Sequence, residues 1–356
     1  MIENLGIRLQ SIKIKNFKSL EELVIDFNEP KMIDEPDVCL MGSKNGIGKT
    51  SVLESIALLF VGIISDKERL NNLPFYKKAI NIPDTIIRAG CNETIIEGTF
   101  FYNKEIIKAS VLLNRDGLII SKGDTSVIKK LILKNSRKKI FEENIVLDFC
   151  LVLAGISREP FTCFPLSYFH SYRKTQEGST EFRMMFSEEY NHKNYDRNPV
   201  SSFKIEVLRS MMNKNKLFEN SNEKEAENIL EKLNSLIKKY AYGYIDKLKP
   251  SDDNTIDFRI KPLDKNKKSF SFDGLSSGQK EIISTLFLIW FYTHNKSGII
   301  LIDEPELHLN VEWHKNFIQN LYKIAPNNQY IISTHSEEIF SSVKKEHRIL
   351  LVPDKE

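Results

Sequence analysis

The stretch MGSKNGIGKTS, residues 41–51, follows the short apolar run Val38-Cys39-Leu40 and leads into a helix-prone segment. It approximates the pattern G-x-x-x-x-G-K-[ST]. Gly48-Lys49-Thr50 supplies the end of that pattern, but five residues back from Gly48 stands Ser43, and Gly42 comes one residue too early. The context fits. A buried strand is expected at Val38–Met41, and a helix from Thr50 to Ile64 with Leu53, Ile56, Ala57 and Phe60 on one face. Glycines let backbone N–H groups turn inward without a Cβ clash, and with a helix N-terminus they form an anion nest. The candidate phosphate-binding residues are Asn45, Gly46, Ile47, Gly48, Lys49, Thr50 and Ser51. Lys49 has the reach for β- and γ-phosphates, and the Thr50 hydroxyl can hold Mg²⁺. The competing reading is an ordinary glycine-rich strand–helix turn. Ser43 adds some weight to it, because a Cβ there restricts φ.

Three downstream motifs bear on that choice. Ile299 to Glu304 reads IILIDE, a buried strand with two carboxylates at its C-terminal end, where parallel α/β sheets place ligand sites. There Asp303 would hold Mg²⁺, and Glu304 would orient and polarise an attacking water. Leu275-Ser276-Ser277-Gly278-Gln279 precedes a helix expected over 279–293 and is a second anion-binding device, through Ser276, Gly278 and Gln279. The first loop already surrounds its own phosphates, so a second device makes sense against a γ-phosphate held by another copy. A plain N-capped helix is the alternative. Residues 331–336, IISTHS, read as a strand ending in His335, which fits a γ-phosphate sensor in this order of motifs.

Elsewhere the alternation in residues 7–27 gives two strands turning near Lys18-Ser19, and residues 93–121 give three antiparallel strands. Residues 126–152 are expected to be helical and carry Lys129, Lys130, Lys134, Arg137, Lys138 and Lys139. Residues 203–241 are helix-prone, with a stripe of Ile229, Leu233, Leu236, Ile237 and Tyr240 but no sustained heptad. Ile256–Ile260 and Ser269–Phe272 form a further hairpin, and the polar residues 174–202 a loop.

The 356 residues, 41% apolar and 28% charged, allow two domains or one with a large insertion. A net charge of +3 implies no nucleic-acid binding by itself, so any DNA contact needs a local patch. The four cysteines, Cys39, Cys91, Cys150 and Cys163, have no zinc or disulfide spacing and fit buried thiols in a reducing compartment. The seven histidines offer no metal-binding pair. With no apolar signal core and no run of about 20 apolar residues, a cytoplasmic location and no membrane partner are expected.

The order of phosphate loop, LSSGQ, IDE and STH resembles the ATP-binding-cassette superfamily. LQSIKIKNFKSLEELVIDF, KNGIGKTS and IDEPELHLN are similar to its SMC/RecF/OLD-like branch rather than to the transporters. The resemblance covers about residues 7–64 and 256–340. It implies an α/β fold, a P-loop ABC-type ATPase head with a mixed sheet, an antiparallel β layer and an inserted helical subdomain. It also implies an N-terminal lobe at 1–64, an insertion at 65–249 and a C-terminal lobe at 250–356. ATP and Mg²⁺ are the implied cofactors, held between two copies, with Glu304 and His335 catalytic. Asn310 takes the D-loop position, and Gln176 is the candidate for a metal-contacting glutamine. Ser43 and Ser277 replace common glycines. OLD proteins carry a TOPRIM nuclease after the histidine switch, whereas the sequence given ends about twenty residues past His335. The implied effector is therefore a separate nuclease or toxin, as in split anti-phage systems of the Septu and PARIS types. The alternative is a RecF/SMC-like DNA-binding ATPase of repair, with Lys129–Lys139, Lys261, Lys265, Lys267 and Lys268 as contact surfaces.

Overall fold

The computed structural model describes residues 6–31, 35–42, 46–68, 81–135, 142–175, 180–181, 203–208, 223–250, 255–294 and 296–352. Ser43, Asn45, Gln176, most of the loop expected at 174–202, and the basic residues Arg137 to Lys139 lie outside them.

The chain divides into two compact units. The first holds Met1–Arg173, Thr293–Leu307 and Val311–Glu356, and the second Lys174–Tyr292 and His308–Asn310. In the first unit, strand β1 (Arg8–Phe17) turns at Lys18-Ser19 into β2 (Leu20–Asp26). They join β4 (Glu93–Tyr102), β5 (Glu105–Asn114) and β6 (Ile119–Gly123) in an antiparallel sheet ordered β2-β1-β4-β5-β6. Its inward residues alternate along β1, where Ile12, Ile14 and Phe17 are fully buried between exposed lysines.

A second sheet has the order β15-β3-β14-β13-β8-β7. It consists of β3 (Val38–Gly42), β7 (Phe161–Cys163), β8 (Leu166–Phe169), β13 (Ile299–Asp303), β14 (Gln329–Ser333) and β15 (Arg348–Leu350). All its pairings are parallel except β7 with β8. The C-terminal ends of β3, β13 and β14 therefore share one edge.

Helix α1 (Lys49–Ile64) packs against strands of both sheets, β1, β4, β5 and β6 on one side and β8, β13 and β14 on the other. Apolar residues on a single face were expected. Instead every residue except Thr50 is buried, because a helix walled on both sides needs an apolar surface all round. The fit is close: a Cβ at Gly62 would come 2.4 Å from Val111 Cγ1. After the short helix α2 (Ile82–Ile86), helices α3 (Thr125–Asn135) and α4 (Glu142–Leu153) also pack on α1. Lys129 Nζ donates to the Ile64 carbonyl at 3.1 Å, so one lysine of the basic cluster serves the C-terminus of α1.

In the second unit, β9 (Thr180–Glu181), β10 (Gly243–Pro250), β11 (Thr255–Pro262) and β12 (Phe270–Ser271) form an antiparallel sheet. Helix α5 (Glu223–Ala241) packs on β10, and its stripe of Ile229, Leu233, Leu236, Ile237 and Tyr240 is buried. Helix α6 (Ser277–Thr293) starts inside the LSSGQ motif, two residues earlier than the expected 279–293, because Ser276 caps it. No helix among the described residues is long and apolar enough to cross a membrane. The cysteines are free, and burial pushes the Cys39 and Cys150 thiols up to about 12.

Candidate active site

The site grows from the shared C-terminal edge of the parallel strands in the first unit. After β3 the chain passes through Gly46, at φ +83°, and Gly48, at φ +95°. Gly48 is the N-cap of α1, with no side chain capping it and no acidic residue in the first helical turn. A Cβ on Gly48 would also lie 2.7 Å from Leu20 Cδ2, so both the left-handed backbone and the packing require glycine. The amides of this turn thus form an anion nest at the start of α1, with Lys49 buried at its base and Thr50 half-exposed.

The remaining motifs come from β13 and β14. Asp303, the last residue of β13, is fully buried. It accepts hydrogen bonds from Thr50 Oγ1 (3.0 Å to Oδ2 and 3.2 Å to Oδ1) and from Ser333 Oγ. Arg173, buried at the end of the β8 segment, donates through Nη1 to the carbonyl of Asp303 at 2.9 Å and to that of His170 at 2.8 Å. The next residue, Glu304, adopts φ +45°, a left-handed conformation that costs roughly 1–2 kcal/mol in a non-glycine residue. Its N–H is secured to the Ser333 carbonyl at 3.0 Å.

His335 sits between the two sides of the site. Its Nε2 lies 3.2 Å from Glu304 Oε1, and its Nδ1 lies 3.5 Å from Lys49 Nζ, at the long limit of a hydrogen bond. An ammonium only donates, so Nδ1 accepts and the ring proton belongs on Nε2, facing Glu304. Glu306 accepts from Thr334 Oγ1 at 2.8 Å and from the His335 N–H.

Burial raises the Asp303 carboxyl above the ordinary range, opposed by its bonds from Ser333 and Thr50 and by Arg173. Burial, then the charge of Asp303, raises Glu304, with His335 opposing. Burial lowers Lys49, and Glu304, Asp303 and Glu306 partly restore it. Three carboxylates around a buried ammonium leave a place that favours a divalent cation and a polyanion together. Thr50 and Asp303, already in contact, have the oxygen chemistry for Mg²⁺, and the amide nest with Lys49 suits phosphate, so these residues fit both ATP and its metal.

Lys49, Thr50, Asp303, Glu304 and His335 are thus brought together, with Ser51 buried one residue further along α1. Ser276, Gly278 and Gln279 belong to the second unit. There Ser276 Oγ accepts from Gln279 N at 3.3 Å while Gln279 Oε1 accepts from Ser276 N at 3.1 Å, a reciprocal capping box that starts α6. Gln279 Nε2 donates to the Tyr240 carbonyl at 2.9 Å. The sequence assigns no role to Arg173, Ser333 or Glu306. Arg173 lies in no motif, Ser333 lies inside IISTHS and Glu306 inside IDEPELHLN, where its signal is its position two residues past Glu304.

One other cluster among the described residues has metal-ligand chemistry: Glu35, Glu346 and His347. Lys344 Nζ at 2.6 Å from Glu35 and Lys31 Nζ at 2.7 Å from Glu346 already supply its positive charge.

The comparisons fit this geometry. The model of a family described as AAA ATPase domain matches residues 8–340. A retron Vc95 probable ATPase from Vibrio cholerae serotype O1 biovar El Tor is 25% identical, over 97% of this chain and 74% of its own length. A retron Ec83 probable ATPase from Escherichia coli is 24% identical, over 98% and 72%. The Septu protein PtuA of Bacillus mycoides (strain KBAB4) is 23% identical over 92% of this chain, which spans 38% of that protein. Among solved structures, an SMC head bound to the C-terminal winged-helix domain of ScpA superposes with a TM-score of 0.54 at 14% identity, covering 94% of this chain and 92% of that one.

Proposed function

The chain belongs to the AAA ATPase domain family, in its SMC/OLD-like branch, and from that premise we propose that this ATPase is a nucleotide-gated sensor or scaffold of bacterial anti-phage defence that acts through a separate nuclease or toxin. Its reaction is hydrolysis of ATP to ADP and phosphate. The observation that carries the catalytic reading is the junction of three motifs: Thr50 on Asp303 at 3.0 Å, His335 on Glu304 at 3.2 Å and Lys49 on His335 at 3.5 Å.

Lys49 and the amides around Gly48 would bind the phosphates, and Thr50 and Asp303 would hold Mg²⁺, which when bound would supply charge neutralisation for the leaving phosphate. Glu304 orients the attacking water and takes its proton at Oε1. His335 Nε2–H, which faces Glu304, keeps that carboxylate aligned and turns to the terminal phosphate when Lys49 does. Arg173 fixes the backbone under Asp303, so the metal ligand and the base keep their spacing. Ser276 and Gly278 of a second copy complete the site from the far side, and Asn310 communicates across the pair, so that ATP joins two copies and hydrolysis releases them.

The retron and Septu relatives support the defence setting. The test has two arms. Glu304→Gln should retain ATP binding while phosphate release falls at least a hundredfold, and Lys49→Ala should lose both. A Glu304→Gln protein that hydrolyses at the wild-type rate removes the base assignment. Phage plating with the neighbouring gene product present or absent then tests the effector, and protection by this chain alone would remove it. The exposed Lys261, Lys265, Lys267 and Lys268 favour one other reading, a DNA-binding repair ATPase. ATP-dependent DNA binding that collapses steeply with added salt would establish it instead.

A further inference from the structure

We propose that Glu306 is a positioning residue for hydrolysis, a clamp that sets His335 against Glu304; this rests on reading those two as the catalytic pair. Strand β14 ends at Ser333, and the sheet follows it one residue further, where Thr334 N–H donates to the Met41 carbonyl at 3.1 Å. Beyond that point the chain carrying His335 leaves the ladder. Its side chain is about one-third exposed, so packing alone does not fix it.

The hold comes from the other motif. Glu306 lies in a 3-10 turn, Pro305–His308, directly after the strained Glu304. Its two carboxylate oxygens take separate donors, Oε2 the Thr334 hydroxyl and Oε1 the His335 N–H. Thr334 Oγ1 in turn accepts from Ser336 N at 3.0 Å, and Ser336 caps the following helix. Residues 334–336 are thereby bound as a unit to the turn that presents Glu304. A carboxylate suits the place because the His335 N–H can only donate, the Thr334 hydroxyl donates to it while its own oxygen accepts from Ser336 N–H, and both bonds are charge-assisted. An amide there takes the charge from both bonds, offers one acceptor, and must turn its donor on a hydroxyl that already accepts one. The spacing E-x-E at 304–306 thus has a division of labour: the first carboxylate meets water and His335 Nε2, and the second holds the backbone that carries His335.

Glu306→Gln should lower kcat for ATP hydrolysis by about ten- to a hundredfold, the scale of a general acid–base pair misplaced by about an ångström. The KM for ATP should stay within about twofold, since Lys49 and the loop are untouched. A merely structural role would not reproduce the second readout. In a His335→Ala background, Glu306→Gln should cost nothing further, because the group it positions is gone. Thr334→Val, which keeps the bond to His335 N–H, should give a smaller kcat loss with the same dependence on His335, and it decides the matter if Glu306→Gln fails to fold. Equal losses with and without His335, or a loss confined to KM, would overturn the clamp. So would a silent Glu306→Gln in a protein that His335→Ala disables. A His335→Ala protein at the wild-type rate would instead remove the catalytic pair, and the clamp with it.

Discussion

Gly48 shows how narrowly a single residue sets this site. Its φ of +95° is ordinary for glycine, whereas an alanine there would adopt a left-handed backbone and press its Cβ to 2.7 Å from Leu20. Gly48→Ala should therefore cost about 1–3 kcal/mol of stability, read as a lower urea midpoint, and weaken ATP binding by displacing the first amides of α1. A variant with wild-type stability and affinity would show that the turn is not held as described. Gly48, Lys49, Asp303 and Glu304 were legible because each stands in a motif whose residue types the chemistry dictates. Glu306 was not. Its contacts, the Thr334 hydroxyl and the His335 N–H just past β14, depend on which groups the fold brings opposite it, and a linear pattern holds no such information. Ser276 was legible as a cap and as an anion device at once. The described geometry gives it the cap, through its reciprocal bonds with Gln279, and a hydroxyl can accept from an amide while donating elsewhere.

At the scale of elements, the two sheets of the first unit are tied by side chains that stand in for backbone. Where β1 bulges between Leu9 and Ser11, the Leu9 N–H donates to Gln329 Oε1 at 2.9 Å and the Leu9 carbonyl accepts from Gln329 Nε2 at 2.8 Å. Gln329→Leu would leave the buried Leu9 N–H without this partner and the Leu9 carbonyl with only the long 3.5 Å bond from Arg8 Nη1, and equilibrium unfolding should register about 1–3 kcal/mol of lost stability. Within the parallel sheet, His170, fully buried after β8, holds the segment before β7: its Nε2 donates to the Glu159 carbonyl at 3.0 Å. Burial lowers its pKa from 6.5 to about 4, so the native fold binds its proton less readily than the unfolded chain does. Its contribution is present above pH 6.5 and is lost as pH falls toward 4. At about 1.4 kcal/mol per pH unit that amounts to about 3 kcal/mol. A wild-type protein should thus lose that much more stability than His170→Phe between pH 7.5 and pH 4, and parallel pH profiles would contradict the burial. The hairpin β1–β2, the meander β4–β6 and helix α5 were readable from period alone. Strands β7 and β8 were not. They lie within PFTCFPLSYF, where two prolines and four aromatics break the alternation, and the parallel pairing of β8 with β13 and its antiparallel pairing with β7 stabilise an extended form there. The full burial of α1 was hidden for a related reason: a helix between two sheets has no polar face from which a period could be read.

For the whole molecule the decisive question is what ATP does to its association. A net charge of +3 on 356 residues puts little self-repulsion in the way of two copies meeting. Each copy on the proposed reading brings one phosphate loop and one LSSGQ helix start, and neither is complete alone. Hydrolysis should then depend on protein concentration. Turnover per chain should rise with concentration and level off as pairs saturate, and Glu304→Gln with ATP and Mg²⁺ should double in mass by light scattering because the pair closes and cannot reopen. Ser276→Arg places a long cation where the second phosphate should lie, so it should abolish both the doubling and the concentration dependence while each chain still binds ATP through Lys49. Ser276→Ala should fall between the two, since it loses the cap, at about 1 kcal/mol, and the hydroxyl's bond to the phosphate but leaves the approach open. Turnover per chain that stays flat with dilution, with a Glu304→Gln protein that remains a monomer in ATP, would show that the site completes itself within one copy. The switch would then have to work by a rearrangement inside the chain rather than by pairing.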